Sequence, residues 1–267
     1  SIGDLFIAGI VPGLVLAAAF CVMILLYAYF APDKVQDNVG ALSQAKASTD
    51  LTIAQAFVSL IPMIGLVLLV MGGIYAGWFT PTESGAIGAL GALVLALARR
   101  RLTLATTWRV LIETGYVTVS ILFLIISANI YSRLLALSGM PQALDAWVAA
   151  SQFSFYHLLL VYVIIIVAMG TLIDGVSIML IMVPMFLPPL ASYHVNLIWF
   201  GIITVIAVEI GLLTPPFGLS VYVIKSTLHD DRISLNDIFK GAAPYAVVMF
   251  LVLLLIIFVP GIALVLL

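Results

Sequence analysis

The sequence contains several apolar segments that exceed the roughly 20 residues a helix needs to cross a hydrocarbon layer about 30 Å thick. Its composition is 64% hydrophobic and 8% charged, with a mean hydropathy of +1.30. In lipid, the backbone must satisfy its own hydrogen bonds, and long apolar runs do so as helices. The chain is therefore predicted to be an all-α polytopic membrane protein, surrounded by a lipid bilayer and without a nucleic-acid partner.

Hydrophobic length and helix breakers predict where the helices lie. They fall at about 5–31, 54–79, 83–98, 106–137, 157–190, 196–228 and 241–266. Two of these segments, 157–190 and 196–228, are interrupted by polar or proline-rich stretches and need a separate explanation.

The first interruption divides a long segment into two apolar arms, residues 158–169 and 178–190. Each arm would extend only about 18–20 Å, which is too short to cross, yet one continuous helix would be too long. A re-entrant hairpin satisfies both constraints. Its tip would be residues 170–177, where Gly170 and Gly175 permit the turn and where irregular backbone requires a protein or water-filled surrounding.

The hairpin tip carries Asp174, and a carboxylate at membrane depth is costly unless it is paired, solvated by a cavity or coordinating a cation. Asp174, Thr171, Ser177 and nearby carbonyls offer the hard oxygen ligands that Na+ takes in transporters. The alternative is that Asp174 merely caps the second arm. The two roles are compatible, because a capping carboxylate at a helix N-terminus can still face a cation.

The second interruption lies between Gly211 and Gly218, where Pro215 and Pro216 remove two backbone donors. The first half of the helix should end near Leu213, and Thr214 should cap the second half with Pro215 at its first position. Paired helix ends of this kind offer free carbonyls to an ion and free amides to an anion. The alternative is a proline kink that neighbouring helices satisfy.

Two further acidic residues of the apolar segments are candidates for a specific role. Glu209 lies deep in the second interrupted helix and could contact an ion, relay a proton or pair internally. Glu83 lies in Thr80-Pro81-Thr82-Glu83, for which a helix-capping box is the favoured interpretation.

The lysines and arginines predict the orientation. With a re-entrant hairpin and an antiparallel turn at residues 80–83, every basic residue except Arg133 lies on one side of the membrane. The positive-inside rule makes that side cytoplasmic, so the hairpin opens to the extracytoplasmic face. A full crossing at 157–190 would instead move Lys225, Arg232 and Lys240 outside, so the charges favour the hairpin.

Three motifs together resemble the large membrane subunit of TRAP transporters, which are secondary transporters of the ion-transporter superfamily. They are GGIYAGWFTPTESGA (72–86), the G-x-L-I-D tip at 170–174 and EIGLLTPPFGLSVYV (209–223), and the likeness runs over the whole chain. The resemblance implies the second half of an inverted-repeat, elevator-type transporter with one re-entrant hairpin and one broken helix. The first repeat is absent from this sequence, so we expect a fragment, a cleavage product or a split subunit whose missing N-terminal half is supplied separately.

The resemblance also implies a function, a location and a site. The function is sodium-coupled uptake of small organic acids, together with an extracytoplasmic substrate-binding protein and a small membrane subunit, at a bacterial or archaeal cytoplasmic (inner) membrane. The implied substrate and ion site comprises Gly170, Thr171, Asp174, Gly175, Ser177, Glu209, Gly211, Thr214 and Pro215. Within it, Thr171, Asp174, Gly211 and Thr214 are the expected Na+ ligands.

Two other functions compete with transport. One is a non-transporting membrane assembly module. The other is an intramembrane acid-base enzyme that uses Asp174 and Glu209, although the transporter interpretation predicts no enzyme activity.

The predicted organisation has four parts. Residues 1–53 hold the last helix of the first repeat and a cytoplasmic loop, residues 54–155 the scaffold helices and a connecting helix, residues 156–230 the hairpin and broken helix of the transport domain, and residues 231–267 the C-terminal helix.

Overall fold

The computed structural model of the chain describes residues 2–30, 53–100, 102–151, 154–191, 193–228 and 233–267. These residues form helices and no strands. The helices are α1 (Ile2–Ala8), α2 (Ile10–Phe30), α3 (Ile53–Tyr75), α4 (Pro81–Ala98), α5 (Leu104–Ser138), α6 (Met140–Ala150), α7 (Phe155–Gly170), α8 (Gly175–Ala191), α9 (Leu197–Leu213), α10 (Leu219–Thr227), α11 (Leu235–Phe258) and α12 (Gly261–Leu264). The predicted cytoplasmic loop and the basic residues Lys34, Lys46, Arg101 and Arg232 lie outside the described residues.

Helix lengths separate the membrane-crossing segments from shorter ones. Within the described ranges, four helical segments are long and apolar enough to span: Ile2–Phe30, Pro81–Ala98, Leu104–Ser138 and Leu235–Phe258. The arms of the predicted hairpin, α7 and α8, have 16 and 17 residues. At about 1.5 Å per residue each arm reaches roughly 24–26 Å, which is longer than the sequence predicted and still below the roughly 30 Å of a hydrocarbon core.

The chain divides into two compact units, of which the first comprises Ser1–Ile7 and Cys21–Gly115. Its centre is the pair α3 and α4, whose glycines admit side chains from the opposite helix. A Cβ on Gly88 would lie 3.1 Å from Cγ2 of Val70, and one on Gly91 would lie 2.6 Å from Cδ1 of Leu66. These two positions pack the helices closely, whereas a Cβ on Gly85 would meet open space.

The start of α4 is the predicted capping box. The Thr80 amide donates to Oε2 of Glu83 at 2.8 Å, and the Glu83 amide donates to Oγ1 of Thr80 at 3.3 Å. Pro81 occupies the first helical position, where a missing amide hydrogen costs nothing. Glu83 is thereby engaged in holding the helix start.

The second unit comprises Ala8–Phe20 and Tyr116–Leu267, and its core lies between α7, α9 and α11. A buried polar contact joins α7 to α9: the Tyr162 hydroxyl lies 2.8 Å from Oγ1 of Thr204. Because the Thr204 hydroxyl donates its proton to the Phe200 carbonyl at 2.8 Å, Tyr162 must be the donor. The Trp199 indole joins α9 to α11 by donating to the Ile256 carbonyl at 2.9 Å.

Helices α7 and α9 approach closely where Gly170 meets Gly211. A Cβ on Gly170 would lie 2.8 Å from Cα of Gly211, and one on Gly211 would lie 2.6 Å from Cα of Gly170 and 2.7 Å from the Val167 carbonyl oxygen. Every one of these obstacles is backbone, which cannot rotate away. The two backbones touch because neither residue carries a side chain.

This contact changes the role predicted for the hairpin glycines. Gly170 ends α7 and Gly175 begins α8, and neither is among the residues with positive φ. The prediction that they permit the turn was wrong. They are required by close approach: a Cβ on Gly175 would lie 2.8 Å from Cγ1 of Val208 on α9.

Two helix assignments also differ from the sequence analysis. The helix α6, which lies between α5 and the hairpin and packs against α8, was not predicted because its sequence MPQALDAWVAA lacks a long apolar run. The last long helix begins at Leu235 and not at residue 241, because Ser234 and Asp237 form a complete capping box at its start.

Replacing Gly211 with alanine should destabilise the protein by about 1–3 kcal/mol, because the added methyl group overpacks against the Gly170 backbone. The measurement is the melting temperature of the full-length large subunit in detergent. Gly115→Ala is the matched control, since a Cβ there meets nothing within 4 Å and alanine is the better helix former. Equal melting temperatures for the two variants would contradict the proposed contact.

Candidate functional site

The hairpin tip is a short turn between α7 and α8. Thr171 is the C-cap of α7, and the amides of Leu172 and Ile173 both donate to the Met169 carbonyl at 2.9 Å. Helix α8 starts at Gly175. The turn therefore brings one carboxylate, that of Asp174, to the start of an apolar helix of 17 residues.

Asp174 caps α8 with both carboxylate oxygens. The Ser177 amide donates to Oδ2 at 3.0 Å, and the Ser177 hydroxyl donates to Oδ1 at 2.5 Å. The side chain is otherwise exposed. A carboxylate has about four acceptor positions, so these two bonds leave oxygen lone pairs for a cation. The capping role is thus realised without excluding the ion-binding role.

Thr171 connects the tip to the break in the next long helix. It is 8% exposed, and its hydroxyl donates to the Ala168 carbonyl at 2.8 Å, which leaves the oxygen available as an acceptor. Its own carbonyl accepts a hydrogen bond from the Gly218 amide at 3.2 Å. The hairpin tip and the restart of the broken helix are therefore directly bonded, a contact that sequence analysis did not foresee.

The break follows from the donors that proline lacks. Pro215 has no N–H for the Gly211 carbonyl, so the Thr214 amide donates there instead, at 3.0 Å. The Ile210 carbonyl, which a regular helix would pair with that amide, takes the Thr214 hydroxyl at 2.6 Å. Thr214 thus ends α9 as its C-cap, with φ −96° and ψ 137°.

These bonds correct the prediction for the second half of the helix. Thr214 does not cap it, and Pro215 is not its first residue. Helix α10 begins at Leu219, and its N-cap is Gly218, which has φ 50° in the left-handed region that favours glycine. A Cβ on Gly218 would also lie 2.7 Å from the Phe239 ring. Gly218 was quoted in the motif but was not among the predicted site residues.

Glu209 lies on a different side of α9 from the tip. Its neighbours Val208 and Gly211 contact the hairpin, whereas the Glu209 side chain is exposed. Across the described ranges it makes no hydrogen bond or salt bridge, so internal pairing is not formed there. Ion contact and proton relay remain predictions for this residue.

A cavity of about 300 Å³ lies beside the tip, between α5 and α8. Ser177, which bonds to Asp174, is part of its wall. Ser127 lies on the opposite wall, on α5, and no local sequence pattern places that residue beside the hairpin.

The ligand chemistry around the tip suits a hard monovalent cation. No group of three or more His, Cys, Asp or Glu residues that could hold a metal occurs in the described part of the chain. What the tip and break offer are one carboxylate, threonine hydroxyls and backbone carbonyls. Oxygen donors of this kind are typical of sodium sites in transporters built from broken helices.

Comparison with known proteins identifies the family. Residues 1–262 match the family described as tripartite ATP-independent periplasmic transporter, DctM component. The chain is 31% identical to the C4-dicarboxylate TRAP transporter large permease protein DctM of Pseudomonas aeruginosa, over 99% of the chain and 59% of that relative.

Similarity extends to permeases named for other substrates. The chain is 30% identical to the 2,3-diketo-L-gulonate TRAP transporter large permease protein YiaN of Escherichia coli, over 97% of the chain and 59% of that relative. It is also 30% identical to the sialic acid TRAP transporter large permease protein SiaM of Vibrio cholerae, over 96% of the chain and 57% of that relative. The chain thus spans somewhat more than half the length of these relatives.

The comparisons confirm the predicted resemblance, and they confirm a multi-pass protein of the inner membrane. They also confirm that this is a transporter subunit and not an enzyme, because the relatives are named as transporter permeases. The chain belongs to the family of DctM components of tripartite ATP-independent periplasmic transporters.

Proposed function

We propose that the protein containing this chain is a sodium-coupled secondary transporter that takes up small organic acids. It would act with an extracytoplasmic substrate-binding protein and a small membrane subunit. Family membership supports the general function, since similar proteins are named as large permeases for C4-dicarboxylates, 2,3-diketo-L-gulonate and sialic acid. Because the chain spans less than two thirds of these relatives, the remaining part of the protein would supply the rest of the transport site.

The observation that carries the proposal is the bond from the Gly218 amide to the Thr171 carbonyl at 3.2 Å. It joins the hairpin tip to the helix break, and the Gly170–Gly211 contact holds the same two elements together at the residue directly before Thr171. Two stretches of irregular backbone therefore lie together. Unwound backbone and half-helix ends at such a place bind coupling ions and substrate carboxylates in secondary transporters.

In the proposed site, Na+ is bound by the Asp174 carboxylate, the hydroxyls of Thr171 and Thr214, and the Gly211 carbonyl. The ion would neutralise Asp174, and the positive ends of α8 and α10 would then favour a substrate carboxylate. A ligand shifts a conformational equilibrium only by the difference in its affinity for the two states. Sodium would therefore be coupled to uptake by binding more tightly to the conformation that also binds the acid. Sodium would thus prepare the site for the acid.

We further propose an elevator-type movement in which the hairpin and the broken helix travel as one body. The support lies within the second unit: α7, α9 and α11 share a core, and Tyr162–Thr204 and Trp199–Ile256 hydrogen bonds tie them together. A body connected in this way can move without losing the geometry between the tip and the break.

Asp174→Asn should weaken sodium binding about tenfold or more, because the negative charge is lost. The remaining side-chain oxygen can still accept a hydrogen bond and so keep part of the cap on α8. The measurement is the sodium dependence of uptake in liposomes that contain the complete transporter and its binding protein. Asp145→Asn on α6 is the matched control, a carboxylate removed outside the proposed site. Unchanged sodium dependence in Asp174→Asn would sink the assignment.

Sodium should also raise the melting temperature of the assembled membrane complex, whereas potassium should not, because only an ion bound to the folded state stabilises it. Thr171→Val should reduce this rise, because valine has nearly the shape of threonine but lacks the hydroxyl ligand. Thr118→Val, on the exposed face of α5, should leave the rise intact. The absence of any sodium-specific shift in the parent complex would favour a non-transporting assembly module.

A further inference from the structure

Helices α7 and α9 are joined at two points along their length. At the first, the Tyr162 hydroxyl lies 2.8 Å from Oγ1 of Thr204. At the second, a Cβ on Gly170 would lie 2.8 Å from Cα of Gly211. From the first point to the second, α7 advances by eight residues and α9 by seven, both toward the site. The two helices are therefore parallel, and roughly 10–12 Å of helix separates the contacts.

The two contacts restrict different movements. The glycine contact sets how closely the backbones approach, but it has no directional bond. Between the contacts, Ile166 and Ala207 are 0% exposed and apolar, and apolar burial is non-directional. A hydrogen bond, by contrast, requires a short distance and a favourable angle. The Tyr162–Thr204 bond is thus the contact suited to fix how far one helical segment lies along the other.

The surroundings of this bond hold it to one geometry. Thr204 is oriented by its own helix, since its hydroxyl donates to the Phe200 carbonyl at 2.8 Å. The Tyr162 ring packs against Phe186 of α8 and Phe200 of α9, with centroids 5.0 and 4.7 Å apart. A slip by one residue, about 1.5 Å, would separate the two hydroxyls and leave a buried donor without its acceptor.

The same register decides whether the proposed sodium ligands align. Thr171 directly follows Gly170 at the end of α7, whereas Thr214 lies three residues after Gly211 at the end of α9. An ion that takes ligands from both helix ends needs them held within about 0.5 Å of the binding geometry. A displacement of one residue along either helix exceeds that tolerance about threefold.

We propose that Tyr162 and Thr204 are positioning residues for the ion site: their hydrogen bond selects the register of α7 on α9 that aligns the hairpin tip with the helix break. The inference rests on the proposed function. Neither residue touches the ion, and both act through the helix ends that carry Thr171, Gly211 and Thr214. A buried polar group has the same effect in coiled coils, where it selects one register of apolar helices.

The first test removes one hydroxyl. In liposomes with the complete transporter and its binding protein, Tyr162→Phe should raise the sodium concentration for half-maximal uptake about three- to tenfold, the ratio that one hydrogen bond accounts for. The maximal rate should stay within about twofold, because saturating sodium draws the protein back into the aligned register. Tyr245→Phe is the matched control: its ring packs on Phe20 with centroids 5.2 Å apart, and the sodium dependence should not change.

The second test separates register from stability. Thr204→Val should lower the melting temperature in potassium, because the Tyr162 hydroxyl is left buried without an acceptor. Tyr162→Phe/Thr204→Val removes both polar groups, so the melting temperature should return toward that of the parent. The half-saturating sodium concentration should stay raised in the double variant, because the bond that selects the register is still absent. Thr204→Ser keeps the hydroxyl and should keep the sodium dependence of the parent.

The outcomes distinguish this inference from the proposed function. If sodium affinity recovers together with melting temperature in the double variant, the bond is only structural and the inference is overturned. Sodium-dependent uptake by the parent, with unchanged half-saturation in Tyr162→Phe, would likewise overturn it while the transport function stands. Uptake by the parent without any sodium dependence would overturn both. The double variant serves in the same way if Thr204→Val does not assemble, since it leaves no buried donor unpaired.

Discussion

The contact between the backbones of Gly170 and Gly211 is the constraint on which the rest of the site depends. With Cβ positions only 2.6–2.8 Å from the opposite Cα, the end of α7 lies directly on the end of α9. That approach puts Thr171 within reach of Gly218 and lets Val208 pack on Gly175. A side chain at either glycine would separate two polar, irregular segments that have to stay together in an apolar medium, where unsatisfied backbone groups are costly.

Both breaks were predictable from the sequence because each rests on local chemistry. Asp174 among apolar residues marks the tip, and Pro215 with Pro216 marks the end of α9, since proline lacks the donor that the helix needs. The capping box at Thr80 was predicted for the same reason, because its partner Glu83 lies three residues away. Features set by the nearest few residues were therefore the predictable part of this protein.

The roles of individual site residues depended on partners far along the chain. Gly170 and Gly175 were assigned to a turn, but their function depends on residues of α9 that lie more than 30 residues away in sequence. Thr214 was assigned to the following helix because its position before Pro215 resembles an N-cap, yet its hydroxyl satisfies a carbonyl that the prolines leave behind in α9. The cavity was missed because no local pattern shows that the Ser127 face of α5 lies opposite α8.

The cap on α8 suggests why sodium and an acid would depend on each other. The positive end of α8 favours one negative charge, and Asp174 supplies it while both of its oxygens accept bonds from Ser177. A second anion placed there alone would meet the repulsion of Asp174. Under the proposed mechanism, Na+ bound to the remaining lone pairs cancels that charge without breaking the cap, so the helix end regains its preference for an anion. The carboxylate of the substrate then restores the favoured charge, and each ligand strengthens the binding of the other by the same free energy.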